Sequence, residues 1–421
     1  MISLTKKRIA LISVHGDPSL EIGKEEAGGQ NVYVRQVGEA LAKQGWQVDM
    51  FTRSSDRQQA SIVQHSPNCR TIRLVAGPQE FIHRDELYGY LPIFVQEWQK
   101  FQLESGCEYP LVHTNYWLSG WVGMELKKSQ PLLQVHTYHS LAAVKYKSVS
   151  TIPRIAKTRL QVEKTLLETA DRVVATSPQE KEHMRSLVSS KDNIDIISGG
   201  TDIERFGSIA LRTARRELGI APETKVVLYA GSLDPGSGIE TLVRAVSLSA
   251  VPKADLKLII GGRWRALESD GLERDRIGSI VEELGLSDIT SFPGGLSGDI
   301  LPAYYAAADV CVVPSHYEPL GLVALEAMAS GTPVIASSVG ALQYTVVPEE
   351  TGLLAPPKNE AVFADAIDRL LGDSLWRQQL GHTARQRVET YFSWDRIASQ
   401  LSQLYTQLLQ QSATQLDPVS A

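Results

Sequence analysis

Lys225 to Ser247 reads KVVLYAGSLDPGSGIETLVRAVS. Its opening run is almost wholly apolar and rich in valine, as in a strand buried on both faces of a parallel sheet. After the loop, Ile239, Leu242, Val243 and Val246 recur at helical spacing. Gly231, Gly236 and Gly238 therefore stand where a strand turns into a helix, the place at which α/β proteins cradle phosphates on free backbone N–H groups. The loop carries no cation. What would offset a phosphate's charge here is the question that the rest of the chain has to answer.

The same alternation runs through the sequence. Short apolar runs in the first half are IALISV (9–14), VDMF (48–51), PLVHT (110–114), LLQVHT (132–137), RVVATS (172–177) and IDIIS (194–198). A second series comprises KVVLYAG (225–231), LKLIIGG (256–262), DITSFPG (288–294), DVCVVPS (309–315) and TPVIASS (332–338). Strands alternating with helical segments predict an α/β protein with two doubly wound, Rossmann-like parallel sheets. The stretch SGGTDIERFGS (198–208) separates the series and reads as a linker. We expect a first domain over 1–205, a second over 206–385, a C-terminal helix over 386–412 packing back on the first domain, and a frayed tail over 413–421. Two such sheets in tandem are expected to face a ligand-binding cleft with their carboxyl strand ends.

A chain of 421 residues is too long for one ordinary core, and 43% hydrophobic with 21% charged residues is the composition of a globular protein. A net charge of −6 argues against a nucleic-acid partner, because no overall positive field recruits a phosphate backbone. Cys69, Cys107 and Cys311 are scattered without a CxxC pair, which fits a reduced, cytoplasmic setting. The apolar run in MISLTKKRIALISVHG is a few residues long, a first strand and not a signal peptide. No stretch reaches the ~18 apolar residues of a membrane span.

Three stretches carry chemistry. In HGDPSLEIGKEEAGGQNVYVRQVGEALAKQG (15–45), Gly28 and Gly29 open a helix that Gly45 ends, giving a ligand access to N–H groups; a flexible loop before a tightly packed helix explains the glycines equally well. In HYEPLGLVALEAMASGTPVIAS (316–337), Glu318 precedes a helix start and Glu326 lies eight residues on, about 12 Å along a helix. That distance matches the span from sugar to ribose in a nucleotide sugar, with N–H groups near Gly321 toward the diphosphate. Two incidental acids on a solvated helix fit less well, because Val323, Ala324, Leu325, Ala327 and Met328 surround Glu326 and a carboxylate there needs a partner. His139 directly follows the strand LLQVHT at the expected site edge, whereas His136 lies within it and reads as core.

The E-x7-E element, the GGQ loop and the second series of strands resemble family 4 of the retaining glycosyltransferases. That family implies a GT-B fold of two Rossmann-like domains, acceptor-binding then nucleotide-sugar-binding, and no metal. EEAGGQNVYVRQVGEAL (25–41), FIHRDELYGYL (81–91), VHTNYWLSG (112–120), HTYHSLAAVK (136–145) and VPSHYEPLGLVALEAMASGTPV (313–334) are similar, within it, to the sucrose-phosphate synthases of cyanobacterial type. The resemblance implies transfer of glucose from UDP-glucose to fructose 6-phosphate with retention. Glu318 would hold glucose hydroxyls, Glu326 the ribose, and His139 would orient and polarise beside sugar and acceptor while the donor phosphate takes the acceptor proton. On the donor side it also implies Gly29, Leu296, Gly321 and Leu322. On the acceptor side it implies Gly28, Gln30, Arg84, Tyr116, Lys145, and Lys157 or Arg159, with the choice among Arg154, Lys157 and Arg159 open.

The chain departs from the family in one respect. The loop quoted first has the family form G-R-x-D-P-x-K-G, whose Arg and Lys neutralise the diphosphate, but Ser232 and Ser237 stand in their places. Gly295, in FPGGLS (292–297), stands where close relatives carry an arginine. Arg263 and Arg265 of GGRWRALESDG (261–271) are possible substitutes at the same sheet edge. Two other readings remain open: a related transferase taking free fructose or another sugar phosphate, and a sugar-phosphate-binding homologue with weak or no catalysis.

Overall fold

The structure is a computed structural model and describes residues 7–20, 28–148, 152–265, 268–296, 298 and 300–416. The chain divides into two compact units, 1–198 together with 394–421, and 199–393.

In the first unit the strands are β1 (Arg8–Ile12), β2 (Gln47–Arg53), β3 (Ile62–Ser66), β4 (Cys69–Leu74), β5 (Leu111–Asn115), β6 (Leu133–Thr137), β7 (Arg172–Ala175) and β8 (Ile194–Ile196). They form one sheet in the order β3-β4-β2-β1-β5-β6-β7-β8. Every pairing is parallel except β3 on β4. Its helices are α1 (Gly29–Lys43), α2 (Leu91–Ser105), α3 (Tyr116–Ser129), α4 (Ala142–Ser148), α5 (Ala156–Thr169) and α6 (Pro178–Leu187). The second unit runs α7 (Ile203–Phe206), α8 (Leu211–Glu217), β9 (Lys225–Ala230), α9 (Ile239–Leu248), β10 (Leu256–Gly261), α10 (Ser269–Glu283), β11 (Thr290–Gly294), α11 (Ile300–Ala307) and β12 (Val310–Val313). It continues through α12 (Leu322–Ala329), β13 (Val334–Ser337), α13 (Leu342–Thr345), β14 (Gly352–Ala355), α14 (Glu360–Gly372) and α15 (Ser374–Tyr391). Its sheet order is β11-β10-β9-β12-β13-β14, all parallel.

Every strand expected from an apolar run is present. The hairpin β3–β4 and the strand β14 are additional. β3 is a half-exposed edge strand and β4 carries Arg70, whose guanidinium pairs with Asp49 of β2 at 2.6 Å, so neither shows a continuous apolar run. β14 is four residues long. Both sheets reverse their winding once, between β1 and β5 and between β9 and β12, and such switch points are where open α/β sheets bind ligands.

The unit boundaries differ from the expected 205/206 and 385/386. Asp202 caps α7 by accepting from Arg205 N–H at 3.0 Å, and Phe206 packs into the second core, so SGGTDIERFGS is not a free linker. Phe392 joins the same core, and its carbonyl accepts from Thr201 N–H at 2.8 Å. Only then does the last helix, α16 (Trp394–Leu416), return to the first unit, burying Ile397, Leu401 and Tyr405. Trp46 Nε1 donates to Ser402 Oγ at 2.9 Å, and Tyr405 OH meets His113 Nδ1 at 2.5 Å. The helix runs to Leu416, so part of the expected tail is helical; 417–421 lie outside the described residues. Among the described residues no helix is long and apolar enough to cross a membrane, and the three cysteines are buried and free.

Candidate active site

At the first switch point, residues following β1, β5 and β6 form one cluster. The backbone enters the left-handed region at Tyr116, φ +72°, and at His139, φ +58°. Two non-glycine residues held there at neighbouring strand ends store strain of the kind that functional sites keep. Asn115 Nδ2 donates to the carbonyls of Ile12 and His113, so its Oδ1 accepts from His139 Nε2 at 2.8 Å. Nε2 then carries the ring proton, and Nδ1 is a bare acceptor without a partner among the described residues. Burial, and to a lesser extent His113, lowers the His139 pKa to about 3. His139 is therefore neutral at physiological pH: it can accept and orient a hydroxyl but is a weak base. His136, read as core, is buried with Nδ1 on Thr114 Oγ1 at 2.9 Å.

Of the three basic residues near α5, Arg159 is the one tied into this cluster. Its Nε pairs with Glu163 at 2.7 Å, and the other Glu163 oxygen accepts from Ala142 N–H at 2.9 Å. With its back fixed, the guanidinium turns Nη1 to Tyr116 OH at 3.0 Å and Nη2 to the carbonyl and hydroxyl of Ser140. Arg159 is 1% exposed, whereas Lys157 and Arg154 are exposed. Two residues along an α-helix turn a side chain by about 200°, which puts Lys157 on another face of α5. Arg84 lies close enough to His15 to oppose its protonation, as do His139, Arg159 and His83, and with burial as the larger cause the His15 pKa falls to about 3. The His15 ring packs on Tyr116 at 4.6 Å. Lys145 is half-buried on α4. Gln30 Nε2 donates to Ser13 Oγ at 2.9 Å and to Asn115 O at 3.4 Å, and Gly28 N–H to Asn31 Oδ1 at 3.1 Å, tying the start of α1, where Gly29 is the first residue, to the ends of β1 and β5. A small open hollow beside the cluster is lined by His15, Asn31, Arg53, Phe81 and Ile82.

At the second switch point the loop after β9 is satisfied from within. Asp234 Oδ2 accepts from Ser232 Oγ at 2.7 Å and Ser237 Oγ at 3.1 Å, and Oδ1 accepts from Gly236 N–H at 2.9 Å. Tyr229 OH donates to Ser232 O at 2.6 Å, and His316 N–H to Gly236 O at 2.8 Å. Gly238 has φ +72°, and a Cβ there would sit 2.0 Å from Pro314 O, so only glycine lets α9 start this close to β12. The loop has the shape of a phosphate cradle, and its own charge is a carboxylate.

Glu318 precedes the helix that carries Glu326, as the sequence predicts, but the helical path assumed between them is broken. Pro319 and Gly321 (φ +69°) interrupt it, and α12 begins only at Leu322. Glu318 instead folds back, and its Oε1 accepts from Gly321 N–H at 3.0 Å and Leu320 N–H at 3.3 Å. The N–H of Gly321, expected to face a diphosphate, is thus engaged by Glu318. Its backbone carbonyl accepts from Ala341 N–H at 2.9 Å, which locks the loop after β12 to the loop after β13. Burial raises the Glu318 pKa against these hydrogen bonds. The partner required by Glu326 is Tyr305, whose OH donates to Oε2 at 2.9 Å; burial pushes the Glu326 pKa up to about 7, opposed by Tyr305 and Arg205.

Beyond β10, Arg263 and Arg265 are both exposed. Arg265 is bound to Glu268 at 2.6 Å and Asp270 at 3.8 Å, while Arg263 lies against Gly295. Leu296 packs on Gly261, and Leu322 opens α12. Sequence reasoning missed Asn115, Ser140, His15 and Tyr305. The first two flank Tyr116 and His139 in the chain, which is a usable signal; Tyr305, in LPAYYAAADV, has none. Among the described residues no three His, Cys, Asp or Glu side chains gather as metal ligands would.

Two family descriptions match the chain, Glycosyltransferase Family 4 over residues 27–205 and Glycosyl transferases group 1 over 212–387. The chain belongs to the family 4 glycosyltransferases, and its two α/β units are the Rossmann-like domains of the GT-B fold. It is therefore a glycosyl-transferring enzyme. A sucrose-phosphate synthase from Thermosynechococcus elongatus is 49% identical with a TM-score of 0.89, covering 96% of this chain and 99% of that one. A D-inositol 3-phosphate glycosyltransferase of Corynebacterium efficiens is 37% identical over 411 residues, 95% of either chain. Anabaena HepE, solved with UDP and glucose, shares the fold at 19% identity and a TM-score of 0.75, covering 95% of this chain and 100% of that one.

Proposed function

We propose that this enzyme is a sucrose-phosphate synthase that transfers glucose from UDP-glucose to fructose 6-phosphate with retention and without a metal. The observation that carries the reading is the cluster at the first switch point, where Arg159, Tyr116 OH and Ser140 converge beside His15 and Arg84. Planar guanidinium groups and hydroxyls so arranged suit a phosphomonoester. Both named relatives have phosphate in their names, and the one named for sucrose phosphate is the more similar by sequence. In this reading Arg159, Arg84 and Lys145 hold the acceptor phosphate, and Gly28 and Gln30 meet the sugar. Arg159 takes the role that was open among three residues.

The second unit then carries the donor. Glu318 accepts hydroxyls of the hexose, Glu326 those of the ribose, and the His139 lone pair orients a hydroxyl beside the reacting carbon. The leaving diphosphate oxygen takes the acceptor proton, because His139, with its pKa lowered to about 3, is too weak a base to take it. The reading is tested by incubating UDP-glucose with fructose 6-phosphate in the presence of a chelator and treating the product with phosphatase. Release of sucrose is expected; a phosphorylated disaccharide yielding any other sugar would replace the acceptor. Inositol 3-phosphate as the preferred acceptor is the second reading, favoured by the name of the Corynebacterium relative.

A further inference from the structure

The loop after β9 leaves a donor diphosphate without a counter-charge. Resting on the donor reading above, we propose that Arg263 supplies that charge from the neighbouring strand and that Gly295 gives it room to do so.

Three strand ends meet here through glycines. Gly231 N–H donates to Gly261 O at 3.0 Å, joining the loop after β9 to β10, and Gly262 N–H donates to Gly294 O at 3.0 Å, joining β10 to β11. A Cβ on Gly262 would sit 2.5 Å from Gly231 O, so backbone meets backbone and Arg263 is the first side chain to rise beyond this floor. It stands between the serine loop on one side and Gly295 on the other. A Cβ at position 295 would lie 3.2 Å from Arg263 Cβ and 3.7 Å from its Cγ, so a bulky residue there competes with the arginine stem for space.

The other arginines near this edge are engaged. Arg265 is neutralised by Glu268 and Asp270, and Arg205 donates to Gly298 O at 2.7 Å. Arg274 lies over Trp264 and Phe292 and pairs with Asp275. Arg263 is exposed and has no hydrogen-bond or ion-pair partner among the described residues. Asp234, Glu318 and Glu326 repel an incoming diphosphate; Lys358, which acts on His316 beside the loop, offsets part of that charge, and Arg263 turning to the ligand offsets more. The cation lost from the loop and from position 295 has, in this account, been replaced one strand away.

The test is calorimetric binding of UDP and of uridine to the full chain and to variants. UDP should bind at least tenfold tighter than uridine, and Arg263→Ala should remove most of that advantage, about ten- to a hundredfold, with uridine affinity unchanged. Arg265→Ala makes the same formal charge change and should alter UDP affinity less than about twofold. Gly295→Arg should restore UDP affinity in the Arg263→Ala background and add little in its presence. An unchanged ratio of UDP to uridine affinity in Arg263→Ala overturns the proposal, as does an equal effect of Arg265→Ala. Uridine binding with no UDP advantage in the unaltered protein also overturns it and leaves the donor site standing. Failure to bind either ligand removes the donor reading itself.

Discussion

The carboxyl ends of the two sheets share a topology and differ in charge. At β1, β5 and β6, Arg159 holds a tyrosine and a serine hydroxyl, with Arg84 and His139 acting on His15 beside them. At β9 and β12 the charges are three carboxylates: Asp234, to which the hydroxyls of its own loop bond, and Glu318 and Glu326 after β12. Winding order dictates where a ligand binds, and side chains added afterwards dictate which ligand. In the proposed reading the first end is prepared for a phosphate before it arrives. In the same reading the second grips hydroxyls and borrows its cation from Arg263.

The sharpest way to break this contrast is Glu318→Gln. Removing the charge while keeping an acceptor for Leu320 and Gly321 N–H should lower turnover by about 10²–10³ with UDP binding retained, as measured by UDP release and calorimetry. Turnover near that of the unaltered enzyme would take Glu318 out of the donor site. On the basic side, Arg159→Ala should cost about 3–5 kcal/mol in thermal or denaturant unfolding, because Glu163 is left buried and unpaired. Adding Glu163→Gln should recover much of that loss, and no recovery would mean that the pair is not the source.

Arg84→Ala, half-buried and outside that pair, should raise KM for fructose 6-phosphate about ten- to a hundredfold while KM for UDP-glucose stays within twofold. Equal effects on both would merge the two sites. Making the ends alike, by Ser232→Arg with Ser237→Lys, should tighten UDP about tenfold; no change would mean that Asp234 absorbs the added charge. The smallest effect is on pH. The folded Glu326 pKa is raised to about 7, so its carboxylate form is lost as pH falls through 7, and donor binding should weaken over pH 7 to 5. The corresponding stability term has the opposite sense: burial favours the protonated acid, so its contribution to folding is present below about 4.5 and lost as pH rises through 7. Glu326→Gln should flatten the binding profile. A persistent acid limb would point elsewhere, though not to His139, whose pKa of about 3 keeps it neutral throughout.

What could be read from the sequence follows from how local each signal is. Apolar runs mark buried parallel strands because both faces need them, so β9 or β12 is visible where the half-exposed β3 is not. The glycine turn at Gly238 was visible, but the reason for it, Pro314 O some 76 residues away, is a tertiary contact. Glu326 could be seen to need a partner, yet Tyr305 could be found only in space. The helical spacing from Glu318 to Glu326 does not apply over its first residues, because Pro319 and Gly321 delay the helix to Leu322. Arg159 separated from Lys157 only when Glu163 and Tyr116 closed on it. Arg263 separated from Arg265 only when Glu268 and Asp270 were seen to hold the latter.

A phosphate-binding first unit working with a donor-binding second unit requires a phosphorylated acceptor for turnover. UDP release from UDP-glucose, measured with fructose 6-phosphate, fructose, inositol 3-phosphate and no acceptor in parallel, tests it most directly. The account predicts turnover with fructose 6-phosphate that is at least a hundredfold above that with fructose. Equal turnover with fructose, or none with any phosphorylated acceptor at saturating donor, would contradict it.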